Sequence, residues 1–208
     1  MARISRRNFL KISGATLVAT GGLIALGTTP PQIVFPEAEY GVEGQMDRKI
    51  LVTYASKAGS TAEIAGAIAE TLGESGAAGD LRPAKAVQSL DGYQMVVIGS
   101  AIRIGAWLPE ALQFVKTHQA QLAQLPVAIF SAHMENLGDD ETSRQARAAY
   151  SAPVRALVTP AAEMFFAGKI ELARLSFLER VMSRMMKSVD EDKRNWDLIR
   201  AWAAGLTV

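Results

Sequence analysis

The 208-residue chain contains no cysteine. This absence excludes disulfides, thiolate nucleophiles, cysteine-held iron–sulfur clusters and a lipoprotein anchor, so any redox chemistry must come from a bound cofactor. Histidine occurs only twice, and neither a Ser-His-Asp set nor a metal-ligand spacing is present. An excess of positive charge is also missing, because four of the 22 basic side chains precede every acid and leave 18 bases against 21 acids. This balance argues against a nucleic-acid-binding protein.

Charge is absent from a long stretch near the N-terminus. No charged residue lies between Lys11 and Glu37, and residues 5–11 read Ser-Arg-Arg-Asn-Phe-Leu-Lys. A twin-arginine motif before a weakly apolar stretch resembles the signal of the twin-arginine translocation route. We therefore predict that residues 1–29 export the folded protein to the periplasmic or extracytoplasmic face of the cytoplasmic membrane. If this segment is not cleaved, it would serve as a membrane anchor.

The remainder divides into a linker and one domain. Residues 30–47 contain three prolines and two glycines and read as a linker, and residues 48–208 read as the folded domain. Within it, apolar runs predict five strands, at Ile50–Tyr54, Asp80–Arg82, Met95–Ser100, Val127–Ser131 and Glu163–Ala167. Helical patterns alternate with them, at 64–72, Pro109–Lys116, Glu141–Leu157, Ser176–Lys187 and Asn195–Ala204.

This alternation predicts an α/β fold with a doubly wound parallel sheet. In such sheets ligands bind beyond the carboxyl ends of the strands, where the strand order reverses. We therefore expect the functional site at three strand ends, namely Ser56–Thr61, Ser100–Leu108 and Ser131–Gly138; these are called the first, second and third loops below.

The first loop has the residues of an anion site. Gly59 allows a tight backbone, and Ser56, Ser60 and Thr61 supply hydroxyls directly before a helix, where backbone amides and the helix dipole favour an anion. The loop lacks the Gly-Lys-Ser/Thr ending of a P-loop and the three glycines of a dinucleotide fingerprint. The pattern suits a phosphomonoester, and a plain helix cap is the alternative.

The second loop carries a family resemblance. The strand ends in Gly-Ser-Ala-Ile-Arg-Ile-Gly at residues 99–105, followed by Trp107. Here the chain resembles the flavodoxin-like family, in which three such loops hold flavin mononucleotide (FMN), and within it the menaquinone-dependent protoporphyrinogen oxidases. Phe-Val-Lys at 114–116, Ala-Gly at 167–168 and an acidic-to-Trp stretch at 190–196 add to the likeness. The resemblance implies a five-stranded parallel sheet in the order 2-1-3-4-5 and one non-covalent FMN.

The resemblance also implies site residues. The first loop would surround the flavin phosphate, and the other two would flank the isoalloxazine ring. Arg103 and His133 are candidate catalytic residues, one for charge balance or a substrate carboxylate and one as a proton donor, and Trp107 is a candidate for stacking on the flavin. A surface ion pair, a lone histidine and a cover for a helix start are the structural alternatives. The predicted cofactor-binding residues are Ser56, Lys57, Ala58, Gly59, Ser60, Thr61, Ser100, Ala101, Ile102, Arg103, Gly105, Trp107, Ser131, Ala132, His133 and Met134.

These features predict an exported FMN-dependent oxidoreductase that passes electrons to a quinone or a redox protein, with a porphyrinogen as candidate substrate. Two alternatives stay open: a non-enzymatic electron carrier, and a scaffold that binds no flavin. An apolar stripe at residues 175–186, flanked by basic side chains, is expected to pack on the sheet, and contact with a membrane surface or a quinone is its alternative.

Overall fold

The computed structural model describes residues 33, 35–41, 49–185 and 188–206. The predicted leader, residues 1–29, lies outside this part of the chain, so its export role stays a prediction. None of the helices in the described part is long and apolar enough to cross a bilayer.

Strands and helices alternate along the described chain. The strands are β1 (Ala38–Tyr40), β2 (Lys49–Ala55), β3 (Ala78–Pro83), β4 (Met95–Arg103), β5 (Ala106–Trp107), β6 (Val127–His133), β7 (Ala162–Ala167), β8 (Lys169–Ile170) and β9 (Glu191–Asp192). The helices are α1 (Ser60–Glu74), α2 (Pro109–Thr117), α3 (Gln119–Leu122), α4 (Glu141–Arg155), α5 (Phe177–Met185) and α6 (Trp196–Ala204).

The main sheet has the order β1-β3-β2-β4-β6-β7, and β5 pairs with β4. Strands β3, β2, β4, β6 and β7 are parallel to one another. Counted along the chain, these five have the order 2-1-3-4-5, which confirms the predicted doubly wound sheet. The order reverses between β2 and β4, so the ends of these two strands form the switch point at which ligands bind.

The core has two layers because side chains of a strand alternate between the faces of the sheet. Every residue of β2 after Lys49 is buried, as expected for a central parallel strand. One layer joins the sheet to α1 and α6, and it contains Ile64, Ile68 and Leu72 from the predicted helical stripe. The other joins it to α2, α3 and α4. Helices on both faces hold the strand ends rigidly, and the loops project from that frame.

Two features differ from the sequence-based expectation. Residues 38–40 form β1, which pairs antiparallel with β3, although they lie in the segment expected to be a linker. Strand β3 was expected at the edge of the sheet, and it is internal because β1 covers its outer side. A strand of three residues has too short a pattern to be recognised in sequence, and its pairing is decided by the exposed edge of β3.

Candidate functional site

The first loop presents backbone donors at the start of α1. Gly59 is the N-cap residue of this helix, with φ of 91° and no side-chain cap. Its own N–H donates to Ser56 Oγ at 3.0 Å, which fixes the turn. The N–H groups of the first helical turn have no acceptors within the helix, and together with the helix dipole they favour an anion. Ser60 Oγ accepts a hydrogen bond from the Lys169 N–H at 3.0 Å, so its hydroxyl keeps one hydrogen to donate.

The second loop is a tight hairpin of β4 and β5. Arg103 pairs with Ala106 across a turn in which Ile104 and Gly105 have φ of 51° and 71°. A positive φ is unusual for a β-branched residue, and Ile104 is nevertheless almost fully exposed at the hairpin tip. The hairpin therefore holds Arg103 at the carboxyl end of β4.

Trp107 is anchored in the wall of the site. Its side chain is buried, and Nε1–H donates to Ser131 Oγ at 2.8 Å. The next residue is held in the same way, because the Leu108 N–H donates to Ser100 Oγ at 2.9 Å. Ser100 and Ser131 were predicted as cofactor contacts, and the structure places their hydroxyls in bonds that position the second loop.

The first residues of the third loop are buried in the protein. Ser131, Ala132 and His133 are all buried. The His133 Nδ1 lies 2.6 Å from the Glu135 carbonyl oxygen, and the ring packs against Tyr150. Burial lowers the pKa of His133, and the positive charge of Arg147 lowers it further against the opposing hydrogen bond to Glu135. The imidazole is therefore neutral at pH 7.

An open cavity of about 580 Å³ lies at the switch point. Its size is in the range of small-molecule and cofactor sites. Its lining contains two cations, one carboxylate, one hydroxyl and several apolar side chains. These residues belong to the first two loops, the start of α2 and one position upstream of the domain. The lining residues are Phe35, Ser56, Lys57, Arg103, Ile104, Ala106, Trp107, Leu108, Pro109 and Glu110.

Two of these lining residues, Lys57 and Arg103, form ion pairs with the same carboxylate, that of Glu179. We call this arrangement the Glu179 bridge. Lys57 Nζ lies 2.7 Å and Arg103 Nη2 lies 2.6 Å from Oε1 of Glu179, which belongs to α5. The other carboxylate oxygen accepts from the N–H and the hydroxyl of Ser176, at 3.0 and 2.7 Å.

The electrostatics of the bridge keep the carboxyl group charged. Burial alone would raise the pKa of Glu179, but the hydrogen bonds from Ser176 and the charge of Arg103 outweigh burial and hold the pKa below its ordinary value. The Glu179 carboxylate thus occupies a position suited to an anion. This donor set fits the phosphate of a flavin nucleotide.

A further cation covers the first loop. Arg174 Nη1 donates to the Ala58 carbonyl oxygen at 3.2 Å and to Glu63 Oε1 at 3.0 Å. A β-carbon built on Gly59 would lie 2.7 Å from the same nitrogen. Only glycine therefore fits beneath Arg174 without a shift of the guanidinium.

The structure brings together only part of the predicted set. Ser56, Lys57, Arg103 and Trp107 line one cavity. Ala58, Gly59 and Ser60 lie beneath the segment that follows β7, whereas residues 131–134 do not line the cavity. The roles of all these residues toward a cofactor stay predictions. Ile104, Ala106 and Leu108 belong to the predicted second loop and also line the cavity. The residues from outside the three predicted loops are Phe35, Pro109 and Glu110 in the cavity lining, Glu179 in the bridge, and Arg174 over the first loop.

Sequence signals for these additional residues were weak. Arg174 and Glu179 occur in or beside the apolar, basic stripe at residues 175–186, which the sequence favours as a helix packed on the sheet. The structure forms a helix there, α5, and Glu179 ties it to the first two loops, whereas its packing on the sheet stays a prediction. No spacing within the chain indicates this contact, because Lys57 and Glu179 are 122 residues apart.

Comparison with known proteins supplies the family. The family model described as "Flavodoxin domain" matches residues 51–197. Protoporphyrinogen IX dehydrogenase [quinone] of Escherichia coli strain K12 is 32% identical over 88 residues, which are 41% of this chain and 49% of that protein. The chain thus spans about half the length of the curated relatives that it matches.

Solved flavodoxins resemble the chain more distantly. Oxidised flavodoxin 1 from Bacillus cereus has a TM-score of 0.48 at 13% identity, covering 75% of this chain and 95% of the other. The flavodoxin of Streptococcus pneumonia TIGR4 has a TM-score of 0.45 at 15% identity, covering 74% and 94%.

Proposed function

Since the chain belongs to the flavodoxin domain family, which implies FMN as the cofactor, we propose that it is an FMN-dependent oxidoreductase with its site at the switch-point cavity. The observation that carries this proposal is the Glu179 bridge, in which Lys57 and Arg103 from two loops converge on one anion beside an apolar cavity. FMN has the matching chemistry, because an anionic phosphate is joined to a flat and largely apolar ring.

The first loop would hold the phosphate. The backbone amides at the start of α1 are available to bind an anion, as they are in phosphate-binding helix starts. The Ser60 hydroxyl adds a further donor. Lys57 contributes charge from the same loop. Ala58 brings no hydroxyl to this set, so backbone amides carry most of the recognition.

The second loop would face the ring system. Bound FMN supplies the transfer of one or two electrons. Trp107 and Leu108 exclude water from one side of the cavity, and Arg103 adds a positive charge that favours an anionic group nearby. Because Trp107 is fixed through Ser131, its ring gives the wall a defined position.

We extend the proposal to a quinone or a redox protein as electron acceptor and a porphyrinogen as substrate. The named E. coli relative supports this extension over the half of its length that the chain matches. A porphyrinogen carries carboxylates, for which Lys57 and Arg103 are suitable partners. The exposed and conformationally strained Ile104 at the cavity mouth is an apolar contact that suits a quinone.

A non-enzymatic electron carrier is the second candidate. It is favoured by the Glu179 bridge itself, because both cavity cations already hold a carboxylate of the chain and a substrate carboxylate would have to displace it. A carrier needs no such substrate site. Turnover of a porphyrinogen therefore separates the two candidates.

The twin-arginine motif at residues 5–11 supports export of the folded protein, which would place its redox reaction on the far side of the cytoplasmic membrane. A reporter fused after Leu206 tests this part. Retention of the reporter in the cytoplasm would remove the export proposal and leave the flavoprotein proposal intact.

The cofactor is tested with the purified full-length protein. An absorption spectrum and chromatography of the released cofactor should identify FMN, and a protein that stays colourless after reconstitution would favour the flavin-free scaffold. Quinone reduction that depends on protoporphyrinogen should then be measured for the wild type, for Arg103→Gln and for Arg144→Gln. Arg144 is the matched control because it is an exposed arginine on α4 whose partners among the described residues, Asp139 and Glu141, lie at the start of its own helix. We expect turnover by the wild type and the control and a marked loss in Arg103→Gln; no turnover by the wild type would favour the carrier.

A further inference from the structure

Residues upstream of the family domain reach the candidate FMN site. The family match begins at residue 51. Phe35 nevertheless lines the switch-point cavity together with Ser56 and Trp107. We call Ile33 together with residues 35–40 the N-terminal strap.

One strand pairing and two tyrosine hydrogen bonds hold the strap on the domain. Strand β1 at its end pairs with β3. The Tyr40 hydroxyl donates to the Ile50 carbonyl oxygen at 2.6 Å, and the Tyr54 hydroxyl donates to the Pro36 carbonyl oxygen, also at 2.6 Å. Burial raises the pKa of both tyrosines, so both hydroxyls stay protonated donors throughout the physiological pH range.

The strap presents apolar groups to the first loop and to the cavity. The Phe35 ring meets the Tyr54 ring edge to face, with centroids 6.4 Å apart. Lys85 Nζ lies 5.9 Å from the centroid of the same ring. Ile33 Cγ2 is 3.7 Å from the position that a β-carbon on Gly59 would take. The strap thus lies beside the predicted phosphate loop at Ile33 and lines the cavity at Phe35.

We propose that the N-terminal strap is part of the FMN site and that Phe35 supplies one of its apolar walls. The inference rests on the proposed function. An aromatic ring that is only half-buried in the cavity wall gains contact area when a flat apolar ligand enters. The gain stabilises the bound ligand and the docked strap by the same amount, since coupling between two binding events is reciprocal.

The coupling has a consequence for the chain before the domain. The strap joins the described domain to the predicted leader, whose last residue, 29, lies four residues before Ile33. Binding of FMN in the cavity should therefore stabilise the docked position of the strap, the segment that follows the leader. A protein loaded with FMN should hold this segment more firmly than an empty one.

The affinity arm of the test compares four full-length proteins by FMN titration: the wild type, Phe35→Ala, Phe35→Leu and Glu39→Ala. We expect Phe35→Ala to weaken FMN binding about tenfold, because the apolar wall is lost, and Phe35→Leu to retain most of the affinity. Glu39→Ala is the matched control, since Glu39 lies in the same strap with its side chain exposed and outside the cavity lining. It should bind FMN as the wild type does.

The second arm measures hydrogen exchange at the amides of residues 38–40, with and without saturating FMN. Exchange should slow about tenfold with FMN in the wild type and much less in Phe35→Ala. Equal FMN affinity of the wild type and Phe35→Ala would overturn the inference while leaving the proposed function standing, and so would strap exchange that FMN does not change. A wild-type protein that binds no FMN would overturn both.

Discussion

Removal of the Glu179 charge should strengthen FMN binding. The Glu179 carboxylate is ionised at neutral pH, because the hydrogen bonds from Ser176 and the charge of Arg103 keep its pKa low in spite of burial. It contacts Lys57 and Arg103, the two cations that line the cavity. A phosphate group and this carboxylate therefore compete for the same positive charges. Glu179→Gln keeps the shape of the side chain and removes the competing charge.

The magnitude follows from the exposure of the two ion pairs. The Lys57 and Arg103 side chains are 42% and 44% exposed, so solvent screens both pairs. Such pairs contribute about 0.5–1 kcal/mol each. Loss of both would release about 1–2 kcal/mol to the incoming phosphate, and since about 1.4 kcal/mol is a factor of ten, FMN affinity should rise about 5- to 30-fold.

The assay is a titration followed by quenching of flavin fluorescence, with FMN and with riboflavin, which lacks the phosphate. Glu110→Gln is the matched control, because Glu110 also lines the cavity but is not an ion-pair partner of either cation. The gain should appear for FMN in Glu179→Gln alone. Unchanged FMN affinity, an equal gain for riboflavin, or an equal gain in Glu110→Gln would refute competition at the Glu179 bridge.

Three further substitutions test the site and the core. Gly59→Ala should lower FMN affinity about tenfold and the free energy of unfolding by about 1–2 kcal/mol, because the new β-carbon meets Arg174 at a φ of 91°. Gly76→Ala, at a φ of 89° in open space, should destabilise through backbone strain and leave FMN affinity unchanged. Thr53→Val should raise the free energy of unfolding in urea by about 1 kcal/mol, because the Thr53 hydroxyl is buried with no hydrogen-bond partner among the described residues. Thr71→Val should bring no such gain, since the Thr71 hydroxyl donates to the Ala67 carbonyl oxygen at 2.9 Å. His133→Gln should flatten the decline of stability between pH 7.5 and 5. In the wild type the unfolded histidine binds a proton near its ordinary pKa of 6.5 and the folded one resists it, so stability is present above that pH and falls below it. An equally steep decline in the variant would show that other groups cause it.

The core of the fold could be predicted because its signals are local. The buried runs at Ile50–Tyr54 and Met95–Ser100, and the spacing of Ile64, Ile68 and Leu72, each lie within one element, and they match β2, β4 and α1. The order of the five parallel strands came from the family resemblance. Strand β1 was missed because it forms by pairing with the open edge of β3. A pattern of three residues is too short to predict that pairing from the sequence.

The candidate site divides in the same way. The anion character of the first loop depends on neighbours in sequence, since Gly59 and the start of α1 create it together. The bond between Trp107 and Ser131 needed the fold, because the two side chains are 24 residues apart in sequence. It fixes the position of the Trp107 ring, whereas stacking of that ring on a flavin stays a prediction.

What the chain determined by itself is its type of chemistry. The missing cysteines exclude thiol and disulfide chemistry, the glycine and hydroxyls before α1 indicate an anion, and the strand and helix periodicities set the scaffold. Only the tertiary structure decided which groups share the site: it brings Glu179 from 122 residues away onto Lys57, and Phe35 from outside the family domain into the cavity. The reason is physical. Periodicity and capping act over a few residues, whereas ion pairs and apolar walls depend on distances in space that the packing of the whole chain sets.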